Sequence, residues 1–185
     1  MKVIAFGHRR DTGKDTCVNF AATHIRFNYQ DLSVLKAAFA KPLKDTFYNL
    51  YKHTGIRHPE FYDDDRDARD DIIPKLGMSI RDGWIKFSNH VRSYYNHTWI
   101  DMLFQDSVDY DILLISDLRY QEEVQAIRDY EHLLVRVDRD EVPKHDDPAD
   151  SDLADFHEWD HVIENNYGLN ELNTQIQAML DGFLR

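Results

Sequence analysis

Short apolar runs separated by amphipathic segments determine the predicted elements of this chain. The runs at residues 3–6, 32–39, 111–117 and 132–138 have the length and composition of buried β-strands, and residues 161–164 add a shorter fifth strand. Because these strands alternate with segments of helical spacing, the sequence predicts an α/β fold. We expect a parallel sheet of about five strands, joined by right-handed crossovers and covered by helices on both faces.

Apolar residues spaced three or four apart predict the helices. The first helix is predicted from Val18, Ala21, Ala22 and Ile25. The second begins near Ala40, and its predicted buried stripe consists of Leu43, Phe47, Leu50 and Tyr51. Further helices are predicted over much of 68–95, with breaks near Pro74 and Gly77, then around Trp99, Met102, Leu103 and Val108, and at 122–130 and 169–184.

Two polar stretches interrupt this pattern. Residues 53–71 are predicted to form a loop or flap, and residues about 139–158 a lid, because both are rich in charge and poor in core residues. The first stretch contains the run Asp63-Asp64-Asp65. Three carboxylates can hold a hard cation, but the spacing and the glycine of a calcium loop are missing, so a solvated turn is the simpler interpretation.

Length and composition limit the kinds of protein that this sequence can encode. The 185 residues, 42% of them hydrophobic, are enough for one domain with its own core, so residues 1–185 are predicted to form a single domain. No apolar run approaches the ~20 residues of a membrane helix, and the N-terminus lacks the pattern of a signal peptide, which predicts a soluble cytoplasmic protein. The single cysteine, Cys17, is expected to be a small core residue, and a catalytic thiol is the alternative.

The net charge of −12 argues against general binding of nucleic acid, because most of the surface repels a polyanion. Local basic clusters are therefore informative. They comprise Arg9, Arg10, Lys14, Lys41, Lys44, Arg81, Arg119, Arg136, Arg139 and Lys144. A few such groups can hold a small, multiply charged anion such as a nucleotide without a basic surface.

The segment between the first strand and the first helix has the arrangement of a phosphate-binding loop. Gly13 and Lys14 stand at the predicted helix start, where backbone N–H groups, the helix dipole and an ammonium converge on an anion. A chance Gly-Lys pair at a helix start is the alternative. Arg9 and Arg10, within the loop, favour the anion-binding interpretation.

This loop departs from the pattern Gly, four residues, Gly-Lys-Ser/Thr. Five residues separate Gly7 from Gly13, so His8 takes the position of the first glycine. Asp15 stands where Ser or Thr would ligate Mg²⁺, and Thr16 follows it.

Two further positions lie at predicted strand ends. Asp117 ends a buried strand, where a carboxylate can meet Mg²⁺ on a bound nucleotide, and a cap of the next helix is the alternative. Lys41 and Lys44 fall in the first turn of the second helix, just after a strand, which is where open α/β sheets bind ligands. Two solvated lysines are an equally simple interpretation of that pair.

Five motifs in chain order resemble the deoxynucleoside monophosphate kinases of bacteriophages, within the nucleoside monophosphate kinase-like P-loop group. The motifs are Gly13-Lys14-Asp15-Thr16, Phe39-Ala40-Lys41-Pro42-Leu43-Lys44, Leu76-Gly77 with Arg81, Ile115-Ser116-Asp117-Leu118-Arg119 and Trp159-Asp160-His161-Val162-Ile163-Glu164-Asn165. Animal-type phosphomevalonate kinases are similar at the same places. Leu118 and Tyr120 beside Arg119 differ from the doubled arginine of those enzymes, which favours a nucleotide acceptor.

The resemblance implies a three-layer P-loop NTPase fold with a helical acceptor-binding region at about 53–108. It implies transfer of the γ-phosphoryl group of ATP, with Mg²⁺, to a deoxynucleoside 5′-monophosphate. The implied donor-binding residues are Arg9, Arg10, Asp11, Thr12, Gly13, Lys14, Asp15, Thr16, Arg136 and Arg139, with Lys144 as an alternative to the last two. The implied acceptor-binding residues are Lys44, Arg69, Arg81, Asp117 and Arg119. Lys14, Arg81 and Arg119 would be catalytic, and Asp15 and Asp117 would hold the metal directly or through water.

The expected partners are therefore small nucleotides, ATP as donor and a deoxynucleoside monophosphate as acceptor. Binding to nucleic acid or to a membrane is not expected, and a homodimer is possible. Two rival functions are a kinase of another small phosphate ester, such as phosphomevalonate, and a P-loop module that binds nucleotide and hydrolyses it slowly. The number of basic residues argues against the second rival, because a sensor needs one phosphate site and this chain offers cations for two.

Overall fold

The computed structural model describes residues 1–142 and 151–185. In that part of the chain the strands are β1 Lys2–Gly7, β2 Val34–Ala37, β3 Ile72–Ile73, β4 Met78–Ser79, β5 Ile112–Leu118, β6 Glu131–Asp138 and β7 His161–Glu164. The α-helices are α1 Lys14–Asn28, α2 Ala40–Tyr51, α3 Pro59–Asp64, α4 Ile80–Tyr94, α5 Thr98–Gln105, α6 Gln121–Ile127 and α7 Leu169–Phe183, and two short 3-10 helices span Lys52–Thr54 and Asp67–Arg69.

Five parallel strands form one sheet in the order β2-β5-β1-β6-β7. This confirms the predicted α/β fold with helices on both faces of a parallel sheet, and it is consistent with a P-loop NTPase-like fold. The order places β1 in the centre. The loop that follows β1 therefore emerges at the carboxyl edge of the sheet between the ends of β5 and β6.

The chain divides into two compact units. The sheet unit comprises Met1–Ala38 and Phe104–Arg185, and the helical unit comprises Phe39–Leu103. A single domain over residues 1–185 stays a prediction. None of the described helices combines the length and the apolar composition needed to cross a bilayer.

Burial on both faces explains the continuous apolar strands of the sheet unit. On one face, alternate residues of the strands, such as Ile4, Phe6 and Val135, pack in one cluster with residues of α1 and α7. The intervening residues, such as Ala5 and Leu113, are equally inaccessible to solvent. A strand covered on both sides has no polar face, which is why its sequence shows no alternation.

The helical unit has a small aromatic core of its own. Its buried members are Phe47, Ile56, Tyr62, Ile80 and Trp84. The rings of Tyr62 and Trp84 meet edge to face, with centroids 5.8 Å apart. A Cβ on Gly83 would lie 2.8 Å from Cζ of Phe47, so the close packing of α4 on that ring depends on glycine.

Three predictions for residues 40–108 are wrong. The middle of the predicted loop 53–71 is helical, because Pro59 starts α3 at a position where its missing N–H costs nothing, and α3 buries Pro59 and Tyr62. The predicted helix over Ile72, Ile73 and Leu76 is instead a hairpin of β3 and β4, in which the N–H groups of Leu76 and Gly77 both donate to the Ile73 carbonyl. Two residues predicted to be buried are exposed, Leu50 and Val108.

The reasons lie in the local geometry. The α2 helix buries only Pro42 and Phe47, so its inward stripe is narrower than predicted and leaves Leu50 outside. Val108 follows the end of α5 at Gln105 and thus belongs to no helical face. The predicted lid at 139–158 includes residues 143–150, and Lys144 with them, which lie outside the described residues.

Candidate active site

Residues 8–13 form a tight loop between β1 and α1 at the carboxyl edge of the sheet. Three of them have positive φ angles: His8 at 84°, Asp11 at 59° and Gly13 at 98°. Such angles are rare for residues with side chains, and glycine adopts them without strain. The backbone therefore reverses direction repeatedly within a few residues, as a loop that surrounds a small anion must do.

Lys14 is held inside this loop. Its side chain is buried, and its Nζ donates to the carbonyl oxygen of Arg9 and lies 3.4 Å from Oγ1 of Thr12. The Thr12 hydroxyl, itself buried, also donates to the Arg9 carbonyl at 3.2 Å. These oxygen atoms of the loop position the ammonium.

The first turn of α1 completes the arrangement. Gly13 is the N-cap residue, and no side chain among the described residues caps the helix. The N–H groups of this turn and the positive end of the helix dipole thus face the loop. Nε of Arg9 is buried and has no hydrogen-bond partner in residues 1–142 and 151–185. A buried donor without an acceptor is costly, and an anion in the loop would satisfy it.

His8 ties the loop to the end of β6. Its Nδ1 lies 3.0 Å from Oδ1 of Asp138, and the same oxygen accepts a hydrogen bond of 2.8 Å from Nε of Arg136. Burial of His8, followed by the positive charge of Arg136, lowers the pKa of the imidazole below its usual 6.5. A neutral ring with its proton on Nδ1 can donate to the carboxylate and adds no charge to the loop.

Two asparagines after β7 support the loop from the other side. The Asn165 side chain donates to the Thr12 carbonyl at 2.9 Å, and its backbone N–H donates to the Asp138 carbonyl at 2.8 Å. A Cβ on Gly13 would come within 2.4 Å of the Asn165 amide nitrogen. Asn166 accepts from the N–H of Asp140 at 3.0 Å. The segments after β1, β6 and β7 are therefore joined by hydrogen bonds.

A cavity of about 500 Å³ opens beside this junction. Gly13 and Thr16 line it on the α1 side, residues 139–141 line it after β6, and residues 165–172 contribute part of its wall. Its volume falls within the ~300–1,000 Å³ range of small-molecule sites. Arg139 brings one of the predicted donor-binding cations to the wall of the same cavity as Gly13 and Thr16.

Asp117 and Arg119 lie at the neighbouring strand end. Gly7 is paired with Leu118, so Asp117 stands on the strand next to the start of the loop. The alternative that Asp117 caps α6 is wrong, because the N-cap residue is Tyr120. The buried carboxylate of Glu123 accepts from the backbone N–H groups of Arg119 and Tyr120 at 2.8 and 3.1 Å. This caps the helix and fixes the backbone of Arg119.

The other predicted acceptor-binding cations belong to the helical unit. Lys44 and Arg69 share Oδ1 of Asp63, at 2.6 and 2.9 Å. Arg81 makes two hydrogen bonds to Asp70, of 2.6 and 3.1 Å, which lower the pKa of that carboxyl group. Each of these three cations therefore already holds a carboxylate. Lys41 is exposed and pairs with Asp45 along α2.

The remaining predicted site residues are more exposed. Arg10 is half-buried in the loop, while Asp11 and Asp15 are exposed. No group of three or more His, Cys, Asp or Glu side chains close enough to hold a metal occurs in the described ranges. Cys17 is inaccessible, and burial raises the pKa of its thiol to about 12. Such a thiol is inert, which agrees with the predicted core role.

Sequence reasoning missed the parts played by His8, Asp138, Asn165 and Asn166. The sequence identified His8 only as a departure from the glycine pattern. One signal was present: polar residues that directly follow a buried parallel strand meet at the carboxyl edge of the sheet. Asp138 ends β6, and the two asparagines follow β7.

Comparison with known proteins relates this chain to nucleotide kinases only in general terms. No protein-family model matches the chain. A protein of Acanthamoeba polyphaga mimivirus with the name "Putative deoxynucleotide monophosphate kinase" is 28% identical over 117 residues, which is 63% of this chain and 54% of that protein. The chain thus spans about half the length of this curated relative. The similarity supports a relationship to nucleotide kinases in general, in agreement with the fold.

Proposed function

We propose that this protein transfers the γ-phosphoryl group of ATP to a deoxynucleoside 5′-monophosphate, giving the diphosphate, in a reaction that uses Mg²⁺. The observation that carries the proposal is the buried Lys14, held inside a left-handed loop at the carboxyl edge of the central strand, beside a cavity of nucleotide size. The name of the mimivirus relative supports the choice of a deoxynucleotide acceptor.

On the donor side, the ammonium of Lys14 would move from the Arg9 carbonyl to the β- and γ-phosphates. The N–H groups from Gly13 to Thr16 would surround the phosphates, with Arg9 and Arg10 as further donors from the loop. The base and ribose would occupy the adjacent cavity. Arg136 lies near the end of β6, and Arg139 directly follows that strand. Both would add positive charge over the phosphates of ATP.

Asp117 and Asp15 are the proposed metal ligands. The residues fit a hard cation, because carboxylate oxygens are what Mg²⁺ prefers. Asp117 lies near the carboxyl end of β5, and Asp15 lies in the first turn of α1, the helix that follows the neighbouring strand β1. When bound, Mg²⁺ would neutralise the charge of the donor phosphates. Asp11 and Thr12 would contribute through the shape of the loop.

On the acceptor side, Lys44, Arg69, Arg81 and Arg119 would hold the phosphate of the monophosphate. The two substrates repel each other, so the main task of the site is to align two anions and to place positive charge over the transferred oxygens. The attacking oxygen is already an ionised phosphate oxygen. The proposed reaction therefore needs no general base, and Lys14, Arg81 and Arg119 are the proposed catalytic residues.

An acceptor panel tests the proposal. ADP formation from ATP is measured with each of the four deoxynucleoside monophosphates, with phosphomevalonate and with no acceptor. A deoxynucleotide kinase shows turnover that depends strongly on at least one of the deoxynucleotides. Turnover with phosphomevalonate alone would favour the mevalonate-type reaction, and slow hydrolysis that no acceptor changes would favour a nucleotide-binding module.

The cytoplasmic location of the protein and the formation of a homodimer stay predictions.

A further inference from the structure

One carboxylate of the acidic run joins two cations of the helical unit. Oδ1 of Asp63 accepts hydrogen bonds from Nζ of Lys44 at 2.6 Å and from Nη2 of Arg69 at 2.9 Å. Two positive groups, one on α2 and one after the end of α3, thus converge on a single oxygen atom. This is the contact geometry that an oxygen of a phosphate monoester requires from a lysine and an arginine.

The two cations are anchored independently of that carboxylate. Nζ of Lys44 lies 5.1 Å from the centre of the Trp84 ring, which belongs to the core of the unit. Nε of Arg69 donates to the carbonyl oxygen of Tyr62 at 2.6 Å. The side chains of Lys44 and Arg69 are only 19% and 18% exposed.

The carboxylate is the replaceable member of this cluster. The Asp63 side chain is 49% exposed and stands one residue before the end of α3, so it can rotate into solvent without disturbing the core. The cations cannot leave as easily, because their side chains are packed. A competing anion would therefore displace Asp63 rather than rearrange Lys44 or Arg69.

We propose that the carboxylate of Asp63 is an internal stand-in for the acceptor phosphate. Asp63 binds Lys44 and Arg69 until a phosphate monoester displaces it. This inference rests on the proposed function. A monoester dianion brings two negative charges to two cations, whereas Asp63 brings one, so the dianion can win the competition. Asp63 thereby lowers the affinity for every anion and makes the site selective for dianionic phosphate over weaker competitors.

The test is the variant Asp63→Asn, which keeps the shape of the side chain and removes its charge. We expect the affinity for inorganic phosphate, measured by calorimetry, to rise about two- to fivefold, the range expected from loss of a partly exposed ion pair. The KM for the deoxynucleoside monophosphate should fall by a similar factor, while the KM for ATP stays the same.

Asp64→Asn is the matched control. Asp64 is the next residue of the same helix and is also exposed. It carries the same charge, so any long-range electrostatic effect on phosphate affinity appears in both variants. A second variant, Asp63→Glu, keeps the charge and should keep the weak affinity of the parent protein. Thermal unfolding of all three variants verifies that they are folded.

Failure of this inference and failure of the proposed function give different results. Unchanged or weaker phosphate affinity in Asp63→Asn overturns the stand-in role, whether or not the parent protein is a kinase. Tighter phosphate binding in Asp63→Asn, together with no turnover on any monophosphate, supports the anion site and overturns the proposed reaction. Tighter binding that Asp64→Asn reproduces in full also overturns the specific role of Asp63.

Discussion

His8 Nδ1 lies 3.0 Å from Oδ1 of Asp138, so the first residue of the loop is bound to the last residue of β6, 130 positions further along the chain. The pair stabilises the backbone of the loop, because His8 has a positive φ angle that is uncommon for a residue with a side chain. The hydrogen bond fixes this angle from outside the loop. A histidine therefore replaces the glycine expected at this position and is stabilised by a distant carboxylate.

The variant His8→Asn tests the acid sensitivity of this pair. Asparagine tolerates positive φ and can donate its amide to Asp138. In the parent protein the folded-state pKa of His8 lies below 6.5, so the unfolded chain binds the proton more readily. Stability contributed by His8 is therefore complete above about pH 6.5 and is lost as the pH falls toward the lowered folded-state pKa. We expect the free energy of unfolding to fall less in His8→Asn than in the parent between about pH 7.5 and 5.5.

Urea unfolding at both pH values measures this difference. Equal losses in the two proteins would contradict the lowered pKa. The variant His8→Val serves as the control for backbone strain, since a β-branched residue at positive φ costs about 1–3 kcal/mol at either pH.

Gly13→Ala and Gly55→Ala separate backbone strain from steric contact. The two glycines have nearly the same φ, 98° and 96°, but a Cβ would meet the Asn165 amide only at Gly13. Alanine should cost about 1–2 kcal/mol of unfolding free energy at either position because of the left-handed backbone. Gly13→Ala should cost more, and should weaken ATP binding at least tenfold, because Asn165 must move from the loop. Equal stability and equal ATP affinity in the two variants would argue against this support.

Lys14→Met should abolish most of the proposed phosphoryl transfer. Methionine fills a similar buried volume without charge, so the fold should survive with a loss of about 1 kcal/mol for the hydrogen bond to Arg9. The loss of kcat should be at least a hundredfold, the scale expected when one charge-stabilising donor is removed. Lys86→Met, at an exposed position of α4, is the control and should retain full turnover. Intact turnover in Lys14→Met would refute the proposed role.

Gly83→Ala tests the packing of the helical unit, and Gly182→Ala, in α7 of the sheet unit, is the control. Both residues are helical, and alanine is intrinsically favoured in a helix by up to about 1 kcal/mol. Gly182 has open space around its missing Cβ, so its replacement should be neutral or stabilising. Gly83→Ala should cost about 1–3 kcal/mol, because Phe47 is itself packed against the rings of Tyr51 and Phe87. Similar unfolding free energies for both variants would mean that the Phe47 ring can move aside at little energetic cost.

The strands of the sheet were predictable because burial determines their composition. Residues 112–115 are four consecutive apolar side chains with no exposure at all, and only a strand covered on both faces uses such a run. The hairpin of β3 and β4 was not predictable in the same way. It has two residues in each strand, too few to show a period, and its identity depends on the turn through Pro74 and Gly77.

The same contrast holds in the candidate site. Lys14 and Gly13 were identifiable because the loop, the helix start and the cation are adjacent in sequence. The pairing of His8 with Asp138, and that of Asn165 with Thr12, depends on the order of the strands, which alternation of strands and helices does not specify. The sharing of Asp63 by Lys44 and Arg69 likewise depends on α3, which the charged composition of residues 53–71 concealed.

The central position of β1 affects how the protein is made. Lys2 pairs with Ile112 on one side and with Glu131 on the other. A ribosome that has completed the first hundred residues has therefore synthesised the whole loop but neither of the strands that flank it. Contacts so distant in sequence form slowly, and an unpaired apolar strand is prone to aggregation while it waits. We expect nucleotide binding to appear only after residues 165–172, which line part of the cavity, have left the exit tunnel.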